Sequence, residues 1–198
     1  GKVGKYDPLE IMIEEAHERK ISFQAWINPM RGMSPRSVSA INKAYPIAEW
    51  NNNSNKDDYL YTYNSLVYLN IAYEEVRNLI INGAAELVRY YDVDGIHMDD
   101  YFYFGREEAF DKKAYEEAKK TTPALNIRSF RFKNLNTLVS GIYSAIKEEN
   151  KNVIFGISPA GNIDNMATTY YADVKTWLSN DGYVDYIMPQ IYFGMEHQ

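Results

Sequence analysis

Residues 92–103 constrain the fold of this chain most strongly, because they read as a short strand that ends on carboxylates and aromatic rings. Side chains of a strand alternate between its two faces, so Ile96 and Met98 share one face and His97 and Asp99 share the other. One apolar and one ionisable face are typical of a strand in a parallel barrel, where apolar side chains pack outward on helices. Ionisable groups are costly to bury without a partner, so the cluster also predicts a functional site.

Four such strands alternate with helical segments, and this order predicts parallel β-α-β units. The strand runs are 21–28, 94–100, 153–158 and 186–192, and the helical runs are 8–19, 73–90, 107–120, 127–149 and 172–179. With each apolar face turned outward, the inward residues at the carboxyl ends are polar: Asn28, Asp99, Ser158, and Gln190 with Tyr192. Polar side chains from four strands at one rim predict a (β/α)8 barrel of the TIM type. A doubly wound sheet is the alternative, but no glycine-rich phosphate turn follows any strand.

The segment 30–70 is a long connection with a polar run at 51–58, which predicts an exposed loop. The stretches 59–63 and 66–69 are hairpin-like and meet at Asn64 and Ser65. Long loops in compact domains are usually functional or disordered, and the aromatic content of this one favours a function.

Length and composition narrow the function classes. A complete eight-stranded barrel takes about 250 residues, so residues 1–198 are predicted to form one partial barrel domain of about four βα units. Such a half belongs to a larger barrel or pairs with a second copy as a homodimer through its open sheet edges.

The net charge of −6 argues against a nucleic-acid partner. No apolar run approaches transmembrane length, and no signal peptide is evident. The chain has no cysteine, which excludes disulfides. It has 18 tyrosines, whose flat rings are suited to stacking on sugars.

Four blocks, 23–29, 92–103, 155–159 and 184–192, together resemble the glycosyl-hydrolase-like 10 family. The resemblance implies a (β/α)8 barrel in which this chain supplies strands three to six. It also implies a bacterial protein that is exported or lipid-anchored, and therefore extracytoplasmic. The implied activity is cleavage of peptidoglycan glycan strands, polymers of GlcNAc and MurNAc, that have lost their stem peptides. No cofactor or metal is expected for that reaction.

The adjacent carboxylates Asp99 and Asp100 are the predicted catalytic residues. Glycoside hydrolysis needs an acid for the leaving oxygen and a group that stabilises the oxocarbenium-like centre. The pair resembles the tandem aspartates of O-GlcNAc-hydrolase-type barrels, in which the substrate's own acetamide attacks the anomeric carbon. One aspartate then orients the acetamide N–H, and its neighbour protonates the leaving group. The alternative for such a pair is a helix cap or a salt-bridge site.

Eight further residues are predicted to contact substrate: Asn28, Arg31, His97, Tyr101, Tyr103, Ser158, Gln190 and Tyr192. For Arg31 a surface salt bridge is an equal alternative, and for His97 a hydrogen-bonded place inside the barrel. Two other function classes stay open. His97, Asp99 and Asp100 could ligate a divalent metal in a carbohydrate hydrolase or deacetylase. The barrel could also be a non-catalytic glycan-binding module.

Overall fold

The computed structural model describes residues 6–54, 57–99, 102–103, 105–192 and 194. Within this part of the chain, the helices are α1 Pro8–Glu18, α2 Pro35–Ser39, α3 Pro46–Asn52, α4 Glu74–Tyr90, α5 Lys112–Thr121, α6 Ile127–Glu149, α7 Ile163–Thr169 and α8 Val174–Ser179. The strands are β1 Gln24–Ile27, β2 Leu60–Tyr63, β3 Leu66–Leu69, β4 Gly95–Met98, β5 Ile154–Ile157 and β6 Tyr186–Ile187. Two residues with predicted roles lie outside the described residues: Asp100, predicted to be catalytic, and Tyr101, predicted to contact substrate.

The main sheet is parallel, with the strand order β1-β4-β5-β6. Its strands follow one another in both sequence and space, which confirms the predicted succession of β-α-β units. Strands β2 and β3 form a separate antiparallel hairpin. Asn64 and Ser65 join them with φ angles of 45° and 62°, both in the left-handed region that a tight hairpin turn requires.

The hydrophobic core lies between the outward face of the sheet and the helices that pack on it. Ile96, Met98, Phe155 and Ile157 are at most 1% exposed and belong to one cluster with the apolar stripes of α4 and α6, which pack against each other. The strand faces predicted from period-two alternation are therefore confirmed. Trp26 lies on the opposite face and is 61% exposed, because no described element packs over that face.

Three short helices were not predicted, because five to seven residues are too few to show helical periodicity. Local signals nevertheless mark where each begins. Ser34 caps α2 just before Pro35, and Pro46 opens α3. Asn162 caps α7 by accepting a hydrogen bond from the backbone N–H of Asn165.

An aspartate just before β4 ties that strand to β1. Asp94 Oδ2 accepts hydrogen bonds from the backbone N–H of Phe23 at 2.6 Å and from His17 Nε2 at 3.0 Å. Because His17 lies in the last turn of α1, one carboxylate joins a helix end to the starts of two strands. The Phe23 N–H is the main reason that the pKa of Asp94 lies below its usual value, and His17 acts in the same direction.

The same arrangement recurs before β6. Asp185 Oδ2 accepts hydrogen bonds from the backbone N–H of Phe155 at 2.7 Å and from Lys147 Nζ at 2.8 Å. Lys147 lies in the last turn of α6, as His17 lies in the last turn of α1. We call these two groups, centred on Asp94 and Asp185, the strand-start clamps. Both lie at the amino-terminal end of the sheet, far from the predicted rim.

The Asp94 clamp predicts a pH-dependent loss of stability. A carboxyl whose pKa is lower in the folded state stabilises the fold above its unfolded pKa of about 3.9, and this stabilisation is lost as the pH falls through the folded-state pKa. We expect Asp94→Asn to cost about 1 kcal/mol at pH 7, since the side chain is 41% exposed. The difference from the wild type should shrink toward pH 3. Urea unfolding at several pH values measures both quantities.

The control for this experiment is Asp92→Asn, whose side chain is 90% exposed in the same segment. It should leave the free energy of unfolding nearly unchanged at every pH. Equal losses for Asp94→Asn at pH 7 and pH 3 would contradict the role of the ionised carboxylate.

Candidate active site

Three of the predicted rim residues lie together at the carboxyl ends of β4, β5 and β6. Gln190 Nε2 donates hydrogen bonds to Asp99 Oδ1 and, at 3.0 Å, to the backbone carbonyl of Ser158. Gln190 is itself held by its backbone, which donates to Pro159 and accepts from Gly161. The carboxylate of Asp99 is therefore oriented by an amide that is anchored to the neighbouring loop.

Ser158 supports the rim through its own hydroxyl. The residue is 8% exposed, and its Oγ donates a 2.8 Å hydrogen bond to the carbonyl of Met188. This bond joins the chain after β5 to the chain after β6. Ser158 was predicted as a substrate contact, but in this conformation its hydroxyl proton is already used by the protein backbone. Tyr192, farther along the same segment, is 87% exposed.

A second polar layer lies one step below the rim on the inner face. His97 Nδ1 lies 2.7 Å from the Tyr186 hydroxyl, and that hydroxyl donates to Gln24 Oε1 at 2.6 Å. The rings of His97 and Tyr186 are nearly parallel, with centroids 5.9 Å apart. Burial lowers the pKa of His97, and the charge of Asp99 opposes that shift only in part. The imidazole is therefore neutral at pH 7.

Glycine at position 156 makes room for this layer. A Cβ there would lie 1.9 Å from Cζ of Tyr186, so any other residue would collide with the ring. Sequence reasoning passed over both Tyr186 and Gln24 as site residues. The available signal was a glycine in the interior of an apolar strand, which often marks a place where another group approaches the backbone closely.

The hairpin β2–β3 packs over the carboxyl end of β1. Arg31 pairs with Tyr68 through the backbone, and Leu69 N–H donates to the carbonyl of Met30. A Cβ at Gly32 would lie 1.9 Å from the carbonyl oxygen of Val67, so the close approach depends on this glycine. The hairpin in the long connection after β1 therefore forms a wall beside the rim.

Asn28 lies at the base of that wall. Its Oδ1 is buried and has no hydrogen-bond partner among the described residues. An unsatisfied buried acceptor is costly. The predicted roles of Asn28 and Arg31 in substrate binding stay predictions.

Tyr103 was predicted to contact substrate, but it does not lie on the rim. It is 1% exposed and packs edge-to-face against Phe110 and Tyr171, each with ring centroids 5.5 Å away. Burial raises the pKa of its hydroxyl well above the usual value. The alternation of a strand does not continue past β4, so the side chain turns into the protein and has no surface to offer to a sugar.

Arg131 organises the pocket that receives Tyr103. Its side chain is fully buried and makes two-pronged hydrogen bonds to the carboxylate of Asp111, at 2.7 Å from Nη2 and 2.9 Å from Nε. Nη2 also donates to the carbonyl of Glu107 at 2.6 Å. The guanidinium lies about 5 Å from the ring centres of Tyr103 and Tyr171. This cluster anchors the loop after β4 to α6.

The described residues offer no group of three His, Asp or Glu side chains that could share a metal ion. Asp100, one of the three ligands in the alternative metal-site prediction, is not among them. No helix in the described part of the chain is both long enough and apolar enough to cross a bilayer.

Solved structures with the same arrangement define the fold class. An α-galactosidase from Lactobacillus brevis superposes with a TM-score of 0.54 at 14% identity, over 93% of this chain and 21% of its own. An α-L-fucosidase from Paenibacillus thiaminolyticus gives a TM-score of 0.54 at 16% identity, over 83% of this chain and 25% of its own. At these identities the likeness shows the fold alone, and that fold is part of a TIM barrel.

The chain belongs to the glycosyl hydrolase-like 10 family, whose sequence profile matches residues 1–197. Glycosyl hydrolase YngK of Bacillus subtilis is 35% identical over 98% of this chain and 40% of its own length. Glycosyl hydrolase DigH of Escherichia coli K12 is 32% identical over 98% of this chain and 48% of its own length. The chain therefore spans less than half the length of these relatives.

Proposed function

We propose that the full-length protein is a glycoside hydrolase acting on N-acetyl-sugar polymers of the bacterial cell wall, namely peptidoglycan glycan strands without stem peptides. The observation that carries the proposal is the position of Asp99. It follows a strand in the interior of the parallel sheet, faces inward, and is oriented at the rim by Gln190. Active sites of this fold lie at the carboxyl ends of the strands.

Asp99 and Asp100 would divide the work of substrate-assisted hydrolysis. One carboxylate would accept a hydrogen bond from the acetamide N–H and so orient the acetamide oxygen toward the anomeric carbon. The other would donate a proton to the leaving oxygen. Gln190 supports this scheme by fixing the orientation of Asp99.

Family membership supports the same class of reaction. YngK and DigH both carry the name glycosyl hydrolase. GlcNAc and MurNAc both carry the acetamide that the tandem aspartates would use. The substrate lies outside the cytoplasm, so we also propose that the full-length protein is exported or lipid-anchored.

The test is a comparison of three polymers offered to the full-length protein: stem-free peptidoglycan glycan, intact peptidoglycan, and a glucan without acetamido groups. We expect new reducing ends from the first and at least about tenfold slower release from the other two. Equal cleavage of the glucan would contradict the acetamide mechanism. Release of acetate that stops on addition of a chelator would support the metal-dependent deacetylase instead.

We further propose that the outer strands β1 and β6 are covered in the full-length protein. An open parallel edge is prone to pair with other chains, and the relatives are more than twice as long as this chain. Further strands of the same polypeptide are the favoured cover, and a second copy is the alternative. Sedimentation of the full-length protein separates the two, since only the second gives a dimer.

A further inference from the structure

The inner layer below the rim joins three strands through one hydroxyl group. Tyr186 belongs to β6, passes over Gly156 of β5, and reaches His97 of β4 at 2.7 Å and Gln24 of β1 at 2.6 Å. Strands β1 and β6 are three steps apart, roughly 14 Å in a flat sheet. The contact therefore requires the curved inner face of a barrel together with a glycine in β5.

Counting protons in this layer fixes the tautomer of the histidine. The Tyr186 hydroxyl has one hydrogen, and it is donated to Gln24 Oε1. The same oxygen can then only accept from His97, so Nδ1 carries the hydrogen. In a neutral imidazole the other nitrogen is then an acceptor. Nε2 of His97 has no hydrogen-bond partner among the described residues.

We propose that Tyr186 and Gln24 are positioning residues that hold His97 in the Nδ1–H form, so that Nε2 accepts a hydrogen bond from a hydroxyl or amide N–H of the substrate. The second half of this statement rests on the proposed function, whereas the tautomer does not. His97 lies two residues before Asp99, which directly follows β4, so the acceptor lies one layer below the rim carboxylate. A sugar ring held by Asp99 would present its donors to both groups.

The tautomer is measured without any substrate. In full-length protein with ¹⁵N-labelled histidine, long-range ¹H–¹⁵N spectra distinguish Nδ1–H from Nε2–H, and His97→Gln identifies the signals of His97 by their loss. We expect a single Nδ1–H form at pH 7 in the wild type. In Tyr186→Phe the acceptor for that hydrogen is gone, and we expect the Nε2–H form to become populated. An Nε2–H form in the wild type would overturn the proposal.

A second experiment measures kcat/KM of the same variant, Tyr186→Phe, on stem-free glycan. Tyr186→Phe keeps the ring above Gly156, so we expect the fold to be retained and kcat/KM to fall about tenfold, the equivalent of one lost hydrogen bond. The matched control is Tyr91→Phe, which loses a 2.6 Å hydrogen bond to Asp7 Oδ2 far from the rim. The control should keep the wild-type kcat/KM and the wild-type histidine spectrum.

The spectra and the kinetic measurement test different parts of the proposal, so a negative result in each has a different meaning. A changed tautomer in Tyr186→Phe with unchanged kcat/KM would overturn the role of Nε2 in substrate binding. An unchanged Nδ1–H spectrum in that variant would overturn the role of Tyr186 in holding the tautomer. A wild-type protein that cleaves no acetamido glycan would reject the proposed function and, with it, the substrate half of this inference, while an Nδ1–H spectrum would still support the tautomer.

Discussion

Replacement of Asp99 with asparagine is expected to lower the rate of cleavage of stem-free glycan by about three orders of magnitude, since acid–base residues typically contribute 10²- to 10⁴-fold. Asparagine keeps the size of the side chain and a hydrogen-bonding oxygen, but it cannot carry a charge or exchange a proton. Binding of the glycan should therefore be retained within a few-fold. The same result is expected for Asp100→Asn. Initial rates of reducing-end release and a co-sedimentation assay with the insoluble glycan measure the two quantities.

The matched control is Asp92→Asn, the same chemical change at an exposed position at the other end of the β4 segment. It should keep both turnover and binding. Unchanged turnover in Asp99→Asn would reject Asp99 as a catalytic residue. A wild-type protein that binds glycan without cleaving it would identify the barrel as a non-catalytic binding module.

Replacement of Arg131 with methionine is expected to cost about 3–5 kcal/mol of unfolding free energy, because the carboxylate of Asp111 would be left buried without its cation. Desolvation already raises the pKa of Asp111, and the hydrogen bonds from Arg131 oppose that shift. Loss of the arginine would also remove its hydrogen bond to the carbonyl of Glu107 and its contacts with the rings of Tyr103 and Tyr171. Urea unfolding measures the change.

Two further variants show that the loss comes from the unpaired charge. Arg128→Met alters an exposed arginine one turn earlier in α6, which stacks on Phe132, and should change stability by no more than about 0.5 kcal/mol. The double variant Arg131→Met with Asp111→Leu removes both charges and should recover part of the loss. A single variant as stable as the wild type would show that the buried pair does not hold the loop after β4.

Alternation within strands was sufficient to predict the sheet and much of the rim. Period-two patterning placed Ile96 and Met98 in the core and His97 on the inner face, because each of these positions is decided by local geometry. The placement of Asp99, Ser158 and Gln190 at one edge followed from the parallel order of the strands. These inferences needed no knowledge of which side chains would meet.

The rest depended on contacts between residues far apart in sequence. Gln24 and Tyr186 are separated by 162 positions, and no local pattern pairs them. Tyr103 was predicted to contact substrate, but the alternation of β4 ends with the strand and its ring is buried. Arg131 carried a usable signal, since it lies four residues before Leu135 and so continues the apolar stripe of α6. A cation on such a stripe requires a buried anion, and Asp111 is that anion.

The strand-start clamps separate the mechanical role of the barrel from its chemistry. Asp94 and Asp185 fasten the helix ends to the foot of the sheet, whereas Asp99 and Gln190 lie a full strand length away at the opposite mouth. Under the proposed function, substitutions in the loops around the mouth would therefore change which sugars are accepted without loosening the foot. In evolutionary terms, such a barrel can change the loops at its open end while its scaffold stays intact.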